Sequence, residues 1–128
     1  MDPSISGDGT LVYTSGSAGL ARDPFVWVDR GGRIIDTIET SHRVPRWPTL
    51  SQDGTKVVFR AADVPGAAYD IWVFDLVNGS ETRITSAPGM AVEGDWLDNE
   101  RVIYAAGPFG SFGTREIVST VAVQLASG

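Results

Sequence analysis

Apolar residues along this chain fall in short runs separated by turn residues, and the runs follow the two-residue period of strands rather than the 3.6-residue period of helices. Leu11-Val12-Tyr13, Phe25-Val26-Trp27-Val28 and Ile34-Ile35-Asp36-Thr37-Ile38 form one group, and the turn Asp29-Arg30-Gly31-Gly32 joins the last two into a hairpin. Val57-Val58-Phe59, Ile71-Trp72-Val73-Phe74 and Thr82-Arg83-Ile84-Thr85 repeat the order, with Val77-Asn78-Gly79 as the corresponding turn. No segment of about ten residues or more carries helical periodicity, so the predicted class is all-β.

The spacing of these groups is regular. Pro3-Ser4-Ile5-Ser6-Gly7-Asp8-Gly9-Thr10 returns as Pro48-Thr49-Leu50-Ser51-Gln52-Asp53-Gly54-Thr55, and Trp27 returns as Trp72, each 45 residues later. A third, degenerate copy begins at Gly94-Asp95-Trp96-Leu97-Asp98-Asn99, where Asn99 is expected to take the positive φ that glycine supplies in the other two. Its closing run, 117–125, has no internal turn residue and reads as one strand or two. Four short strands recurring at this period are the pattern of a β-propeller blade. The prediction is a single domain over 1–128 built of three four-stranded antiparallel blades, at about 3–38, 46–85 and 93–125. In the second copy, strands A to D are expected at 48–51, 56–61, 70–75 and 81–85. The A–B and C–D turns are tight, whereas the B–C and D–A connections are longer. An antiparallel meander sends these two sets to opposite ends, so the long loops share one face, and binding residues are expected there.

The units resemble the repeats of TolB-like propellers, a WD-repeat-like family. The matching residues are Ser51-Gln52-Asp53-Gly54-Thr55, Asp70-Ile71-Trp72-Val73-Phe74-Asp75 and Thr82-Arg83-Ile84-Thr85 in the second copy, and Ser6-Gly7-Asp8-Gly9-Thr10 with Trp27-Val28-Asp29 in the first. Neither copy has the family's proline before the aspartate, and the third keeps only Trp96, Asp98 and the strand after them. The resemblance implies a propeller scaffold, used by periplasmic proteins, by sensor regions of bacterial regulators and by the substrate-gating part of serine peptidases. It also implies structural roles for Asp8, Gly9, Asp53 and Gly54, each aspartate accepting hydrogen bonds from its own turn.

Charge narrows the partners. The 128 residues carry 16 acidic and 10 basic side chains, a formal net charge of −6, which repels nucleic acid over most of the surface. There is no cysteine, so neither a disulfide framework nor a thiolate metal site is available. No run approaches the roughly 18 apolar residues of a membrane span, and Met1-Asp2-Pro3-Ser4 enters directly at strand A without a signal-like segment. A soluble chain of unassigned compartment is expected, either complete or a piece of a longer propeller.

Candidate chemistry is sparse. His42, Arg43 and Arg46 in the first D–A connection make the one cluster of positive charge. His42 is expected to be a solvated loop residue, with Glu39, Glu93 and Asp95 available to pair with the cluster. Trp27 and Trp72 are expected to pack between sheets, while Trp47 and Trp96, near the strands that line a propeller axis, are the candidates for a ligand platform. Neither Ser17 nor Ser111 sits in a nucleophile elbow, and Gly7-Asp8-Gly9 lacks the third glycine and following helix of a dinucleotide site. Asp95, Asp98 and Glu100 read as solvated carboxylates of a turn, and Asn78-Gly79-Ser80 as a hairpin turn rather than a glycosylation site.

No catalytic, cofactor or metal residue is therefore assigned. The expectation is a non-catalytic module binding a protein or peptide on the long-loop face, through His42, Arg43, Arg46, Trp47 and Trp96. The rival is the propeller portion of a serine peptidase or another propeller enzyme whose catalytic residues lie outside the chain. An arc of three blades leaves two terminal faces without a neighbour, so self-association is expected. Two chains would close a six-bladed ring, the blade of Ile5, Val12 and Trp27 meeting that of Val102, Tyr104 and Ile117.

Overall fold

The computed structural model describes residues 4–7, 9, 11–14, 24–42, 44–62, 64, 67–85, 90–108 and 119–125. Within them the first copy forms β1 (Ser4–Ile5), β2 (Leu11–Thr14), β3 (Phe25–Val28) and β4 (Ile34–Ile38), a four-stranded antiparallel sheet in sequence order. The second copy forms β5 (Val44–Leu50), β6 (Lys56–Ala62), β7 (Asp70–Asp75) and β8 (Glu81–Arg83) in the same arrangement. The third forms β9 (Met90–Trp96), β10 (Arg101–Gly107) and β11 (Ser119–Gln124), with β10 in the centre. The closing run is thus one strand, the third of its sheet, and no fourth strand follows it among the described residues, against the four expected. No helix among the described residues is long and apolar enough to cross a membrane.

Alternation along the middle sheet explains how the three sheets stack. Val57, Phe59 and Ala61 of β6, with Trp72 and Phe74 of β7, face the first sheet and pack on Val12, Phe25, Trp27 and Ile38. Val58 of β6 and Ile71 and Val73 of β7 face the other way, onto Ala91, Trp96, Val102, Tyr104 and Leu125. Both faces of the middle sheet are buried, which is why its strands read as nearly continuous apolar runs. Each seam is also pinned by hydrogen bonds. Ser4 Oγ accepts from Leu50 N at 3.0 Å across the first seam, and the Trp96 indole N–H donates to Thr49 O at 2.8 Å across the second. Gly94 belongs to the second seam as well: a Cβ there would lie 3.1 Å from methyl groups of both Val58 and Ile71.

Two expectations about the strands change. Strand A of the second copy begins at Val44, not Pro48, because the register shifts between Arg46 and Thr49 and pairing with β6 continues past the bulge to Ala62. Both prolines are accommodated since β5 is the edge of its sheet, where a missing N–H breaks no ladder on the open side. Strand D ends at Arg83 rather than Thr85, although Ile84 N still reaches Ile71 O at 2.8 Å. The residues marking the terminal blades in the sequence also face differently from the expected ring contact. Val12, Trp27, Val102 and Tyr104 lie in the seams within the chain, and Ile117 lies outside the described residues. The row that crosses the opposite face of the first sheet is Ile5, Leu11, Val28 and Ile34, with Ile5 68% and Ile34 53% exposed.

The tight turns are closed by carboxylates. Asp53 Oδ1 accepts from Ser51 Oγ at 2.7 Å, Thr55 N at 3.0 Å and Thr55 Oγ1 at 2.8 Å, while Lys56 N donates back to Ser51 Oγ. The Ser51 bond above all holds the Asp53 carboxyl below the usual carboxylate range; burial, the next influence, opposes it, and the two Thr55 bonds and the Lys56 charge add to the lowering. Asp29, Asp75 and Asp98 close their turns in the same way, each accepting two backbone N–H groups. Asn99 does not take a positive φ; Trp47 is the one described non-glycine residue that does. The Asp98 carboxylate closes that turn instead, and Asn99 Oδ1 accepts from Asp53 N at 2.9 Å, tying the third turn to the second.

Gly54 holds φ +71° with no atom within 4 Å of an added Cβ, so only backbone conformation opposes a side chain there. Gly54→Val is expected to cost about 1–3 kcal/mol, because a β-branched residue resists the left-handed region. Gln52, exposed on the same turn, is expected to be replaceable by alanine within about 0.5 kcal/mol. Thermal melts of the two variants check this, and equal, mild effects would refute the turn's role. Gly9 occupies the equivalent position with φ +87°, and Asp8 lies outside the described residues.

Candidate functional site

The long-loop end of the molecule holds two clusters, on opposite sides of the middle sheet. The first gathers on the side of the third sheet. Arg60 is two residues beyond Val58 on β6 and shares its face, near the end of the strand that leads into the B–C connection. Its guanidinium carbon lies 3.5 Å from the centroid of the Trp47 ring and 4.5 Å from that of Tyr69, within cation–π range of both. Arg46 is the direct partner of Arg60 across β5 and β6, so the two side chains leave the sheet on the same face.

The bulge in β5 makes this grouping possible. In a regular strand Trp47 would point away from Arg46, to the other face. Here the register shift between Arg46 and Thr49, with Trp47 at φ +52°, turns its ring back under the Arg60 guanidinium. Tyr69, just before β7, is fixed by its carbonyl, which accepts from Ala91 N of β9 at 3.1 Å. The cluster therefore sits at the mouth of the seam between the second and third sheets.

The second cluster lies in the seam between the first and second sheets, around His42. Contrary to the expectation of a solvated loop residue, His42 is only 5% exposed. Its ring packs 4.2 Å from that of Trp72 and 6.0 Å from that of Phe59, and Nε2 stands 3.4 Å from Glu81 Oε2. The same carboxylate accepts from Ser41 N at 2.9 Å and from the Ser41 hydroxyl, so one side chain of β8 gathers the connection between the first two sheets. Thr40 Oγ1 adds a bond to the His42 carbonyl at 3.3 Å. A histidine enclosed by two aromatic rings and a carboxylate is a packing element of the seam.

The structure thus separates residues that the sequence grouped. Arg46 and Trp47 meet Arg60 and Tyr69, His42 lies across the sheet, and Arg43 is outside the described residues. Trp96 packs in the second seam with its indole N–H on Thr49 O, a structural tie. Glu81 is the carboxylate that stands beside His42 and Asp95 Oδ1 accepts from Trp96 N at 2.7 Å, while the Glu93 side chain lies outside the described residues. Arg60 and Tyr69 were not singled out in the sequence. The available signal was a charged residue inside the otherwise apolar run Val57-Val58-Phe59-Arg60-Ala61-Ala62. Among the described residues no three His, Asp or Glu side chains converge as a metal site.

No family model matches the chain, and no curated protein matches it in sequence. Solved structures do. TolB from Acinetobacter baumannii superposes with a TM-score of 0.68 at 18% identity, covering 96% of this chain and 29% of that one. A protein assigned as TolB from Agrobacterium tumefaciens gives 0.72 at 16% identity, covering 97% and 46%. The β-propeller domain of the Trilobed protease from Pyrococcus furiosus, described as having an open velcro topology, gives 0.64 at 19% identity, covering 97% and 38%. At such identities the likeness is one of fold: a TolB-like β-propeller architecture, of which this chain spans less than half the length of each structure.

Proposed function

We propose that this chain, a TolB-like propeller segment, is a non-catalytic interaction module that binds a peptide or protein at its long-loop end. The observation carrying this reading is the Trp47–Arg60–Tyr69 stack beside Arg46. Tryptophan, tyrosine and arginine are the residues most enriched where binding energy concentrates at protein interfaces. Here they are placed by a bulge and a strained φ rather than by the needs of the sheet. Panning the full chain against displayed random peptides tests the reading. Enriched peptides should lose binding to Trp47→Ala and Tyr69→Ala variants that melt like the parent chain. Peptides indifferent to both changes would overturn it.

The same reading treats each sheet as a blade and includes self-association. Two chains of three blades would form a six-bladed ring, with the face of Ile5, Leu11, Val28 and Ile34 against the outer face of the third sheet, where Ile103 and Ala105 stand. Light scattering at micromolar concentration is expected to give a monodisperse dimer, weakened by Ile34→Asp. A stable, non-aggregating monomer would exclude this closure. The likeness to a protease's propeller domain supports a second reading, the propeller part of a peptidase. Turnover of generic peptide or ester substrates by the chain would favour an enzymatic role over the module.

A further inference from the structure

We propose that β11 is a docking edge for a second copy of this chain, the two β11 strands pairing antiparallel about a two-fold axis at Ala122 and joining two third sheets into one. The contact goes beyond the interaction-module reading and is separate from the ring closure, which uses sheet faces.

The other edges of the three sheets are all blunted. β1 has only two residues, and β8 has three, of which Glu81 and Arg83 are charged. β4 includes Asp36, and its pairing with β3 shifts register between Trp27 and Val28. β5 carries Pro45 and Pro48 around its bulge, and β9 includes Glu93 and Asp95 opposite the register shift between Ile103 and Ala105. Short length, charge, proline and bulges are the means by which natural sheets avoid pairing with other chains. β11, Ser119-Thr120-Val121-Ala122-Val123-Gln124, has none of them: it is six residues long, uncharged and free of proline, and it pairs with β10 from Arg101 to Ala106 without a shift. It also stands where the first two sheets carry a fourth strand, and none pairs with it there among the described residues.

Backbone direction fixes what this edge presents. Leu125 N donates to Glu100 O at 2.8 Å, so that N–H points toward β10. Backbone groups alternate sides along an antiparallel strand, which turns those of Val123, Val121 and Ser119 toward β10 as well and those of Gln124, Ala122 and Thr120 toward the open edge. Opposed residues in a sheet share a face, so a two-fold axis normal to it must lie midway between a residue and its own copy. An axis at Ala122 sets Ala122 opposite the partner's Ala122 and Thr120 opposite the partner's Gln124. Every N–H and C=O turned outward from Thr120 to Gln124 then meets its complement. Val121 stands opposite the partner's Val123, a β-branched pair of the kind that favours a sheet. Charge selects the same occupant. Two copies of net charge −6 repel over most of their surfaces, and at β11 they approach without setting like charges opposite each other. A charged peptide would gain nothing from an uncharged strand.

An edge contact of this length is smaller than a standard protein interface, so association is expected to be weak, on the order of 0.1–1 mM. Amide hydrogen exchange of the full chain, labelled with nitrogen-15 and measured across that range and below it, tests the contact residue by residue. The Thr120, Ala122 and Gln124 amides are expected to slow severalfold as concentration rises, while those of Val121 and Val123, already turned to β10, stay unchanged. A ring carries two such edges, so in sedimentation native chains closed in rings should grow beyond a dimer, whereas Ile34→Asp chains, with the ring contact weakened, should stop at one. Ala122→Lys sets like charges opposite each other at the axis and should move the concentration dependence severalfold upward. Unchanged protection of Val121 and Val123 in that variant would show that β11 keeps its place on β10. Protection of the three amides at every concentration would put a segment of the chain itself on the edge and overturn the second copy. Protection that arises only on adding the acetylated, amidated peptide of residues 119–124 would make the occupant a foreign strand and overturn it too. Three amides that exchange freely throughout would remove the edge as a docking site, and light scattering would still decide the ring.

Discussion

Phe59→Ala is expected to remove about 3–5 kcal/mol of folding stability, the range for truncating a buried phenylalanine that leaves a cavity. The Phe59 side chain is fully buried and stands at the centre of the first seam. Its ring meets that of Phe25 edge to face, with centroids 5.1 Å apart, and lies 6.0 Å from the His42 ring. Truncation would remove the contact between the first two sheets together with the support of the buried histidine. A domain of this size has only about 5–15 kcal/mol in total, so the loss should lower the melting temperature by on the order of 10–20 °C. Val77→Ala, at a residue 80% exposed, is the control and should fall within about 0.5 kcal/mol. A Phe59→Ala variant that melts with the parent chain would mean that the first seam does not hold the sheets together.

The sheets were legible in the sequence for the same reason that Phe59 is critical. Alternation in Val57-Val58-Phe59 and Ile71-Trp72-Val73-Phe74 loads both faces of the middle sheet with apolar side chains, and only a sheet stacked on each side buries them. The 45-residue return of Trp27 as Trp72 reflects repeated packing, since both rings lie against the first-seam core. Strand ends were harder to read, because a bulge has no local signature. Nothing in Arg46-Trp47-Pro48 announces that pairing continues through two prolines with Trp47 in the left-handed region. The unexpected φ at Trp47, and its absence at Asn99, come from tertiary contacts: Arg60 and Tyr69 in one case, the Asp98 carboxylate and Asp53 N–H in the other.

The candidate site was legible only in part. Sequence proximity put His42 beside Arg46, but residues four apart at the entry to a strand can serve opposite faces of its sheet, and here they do. Arg60 and Tyr69 come from a different strand and a different connection, so only the fold brings them to Trp47. Trp96 illustrates the converse case. Its position near the axis suggested a platform, whereas the Thr49 carbonyl, freed beside the bulge, takes its indole N–H.

Glu81→Ala is expected to cost about 1–2 kcal/mol, because its largely buried carboxylate accepts two hydrogen bonds from Ser41 and faces the buried His42 ring. The Glu81 side chain is 14% exposed and that of His42 is 5% exposed. Removing the carboxylate would take both hydrogen bonds from Ser41, an exposed residue whose N–H and hydroxyl water can then satisfy, and would open a gap beside the buried His42 ring. Arg83–Asp70 is a natural comparison, since Arg83 is two residues away on the same strand. That pair is shorter, at 2.9 Å, but its arginine is 52% exposed, so Arg83→Ala should cost less than about 1 kcal/mol. Urea titrations of both variants give the two values. Burial and the number of groups served, not distance, should set their order; if Arg83→Ala proved the more damaging, Glu81 would not be what ties the first connection to the second sheet.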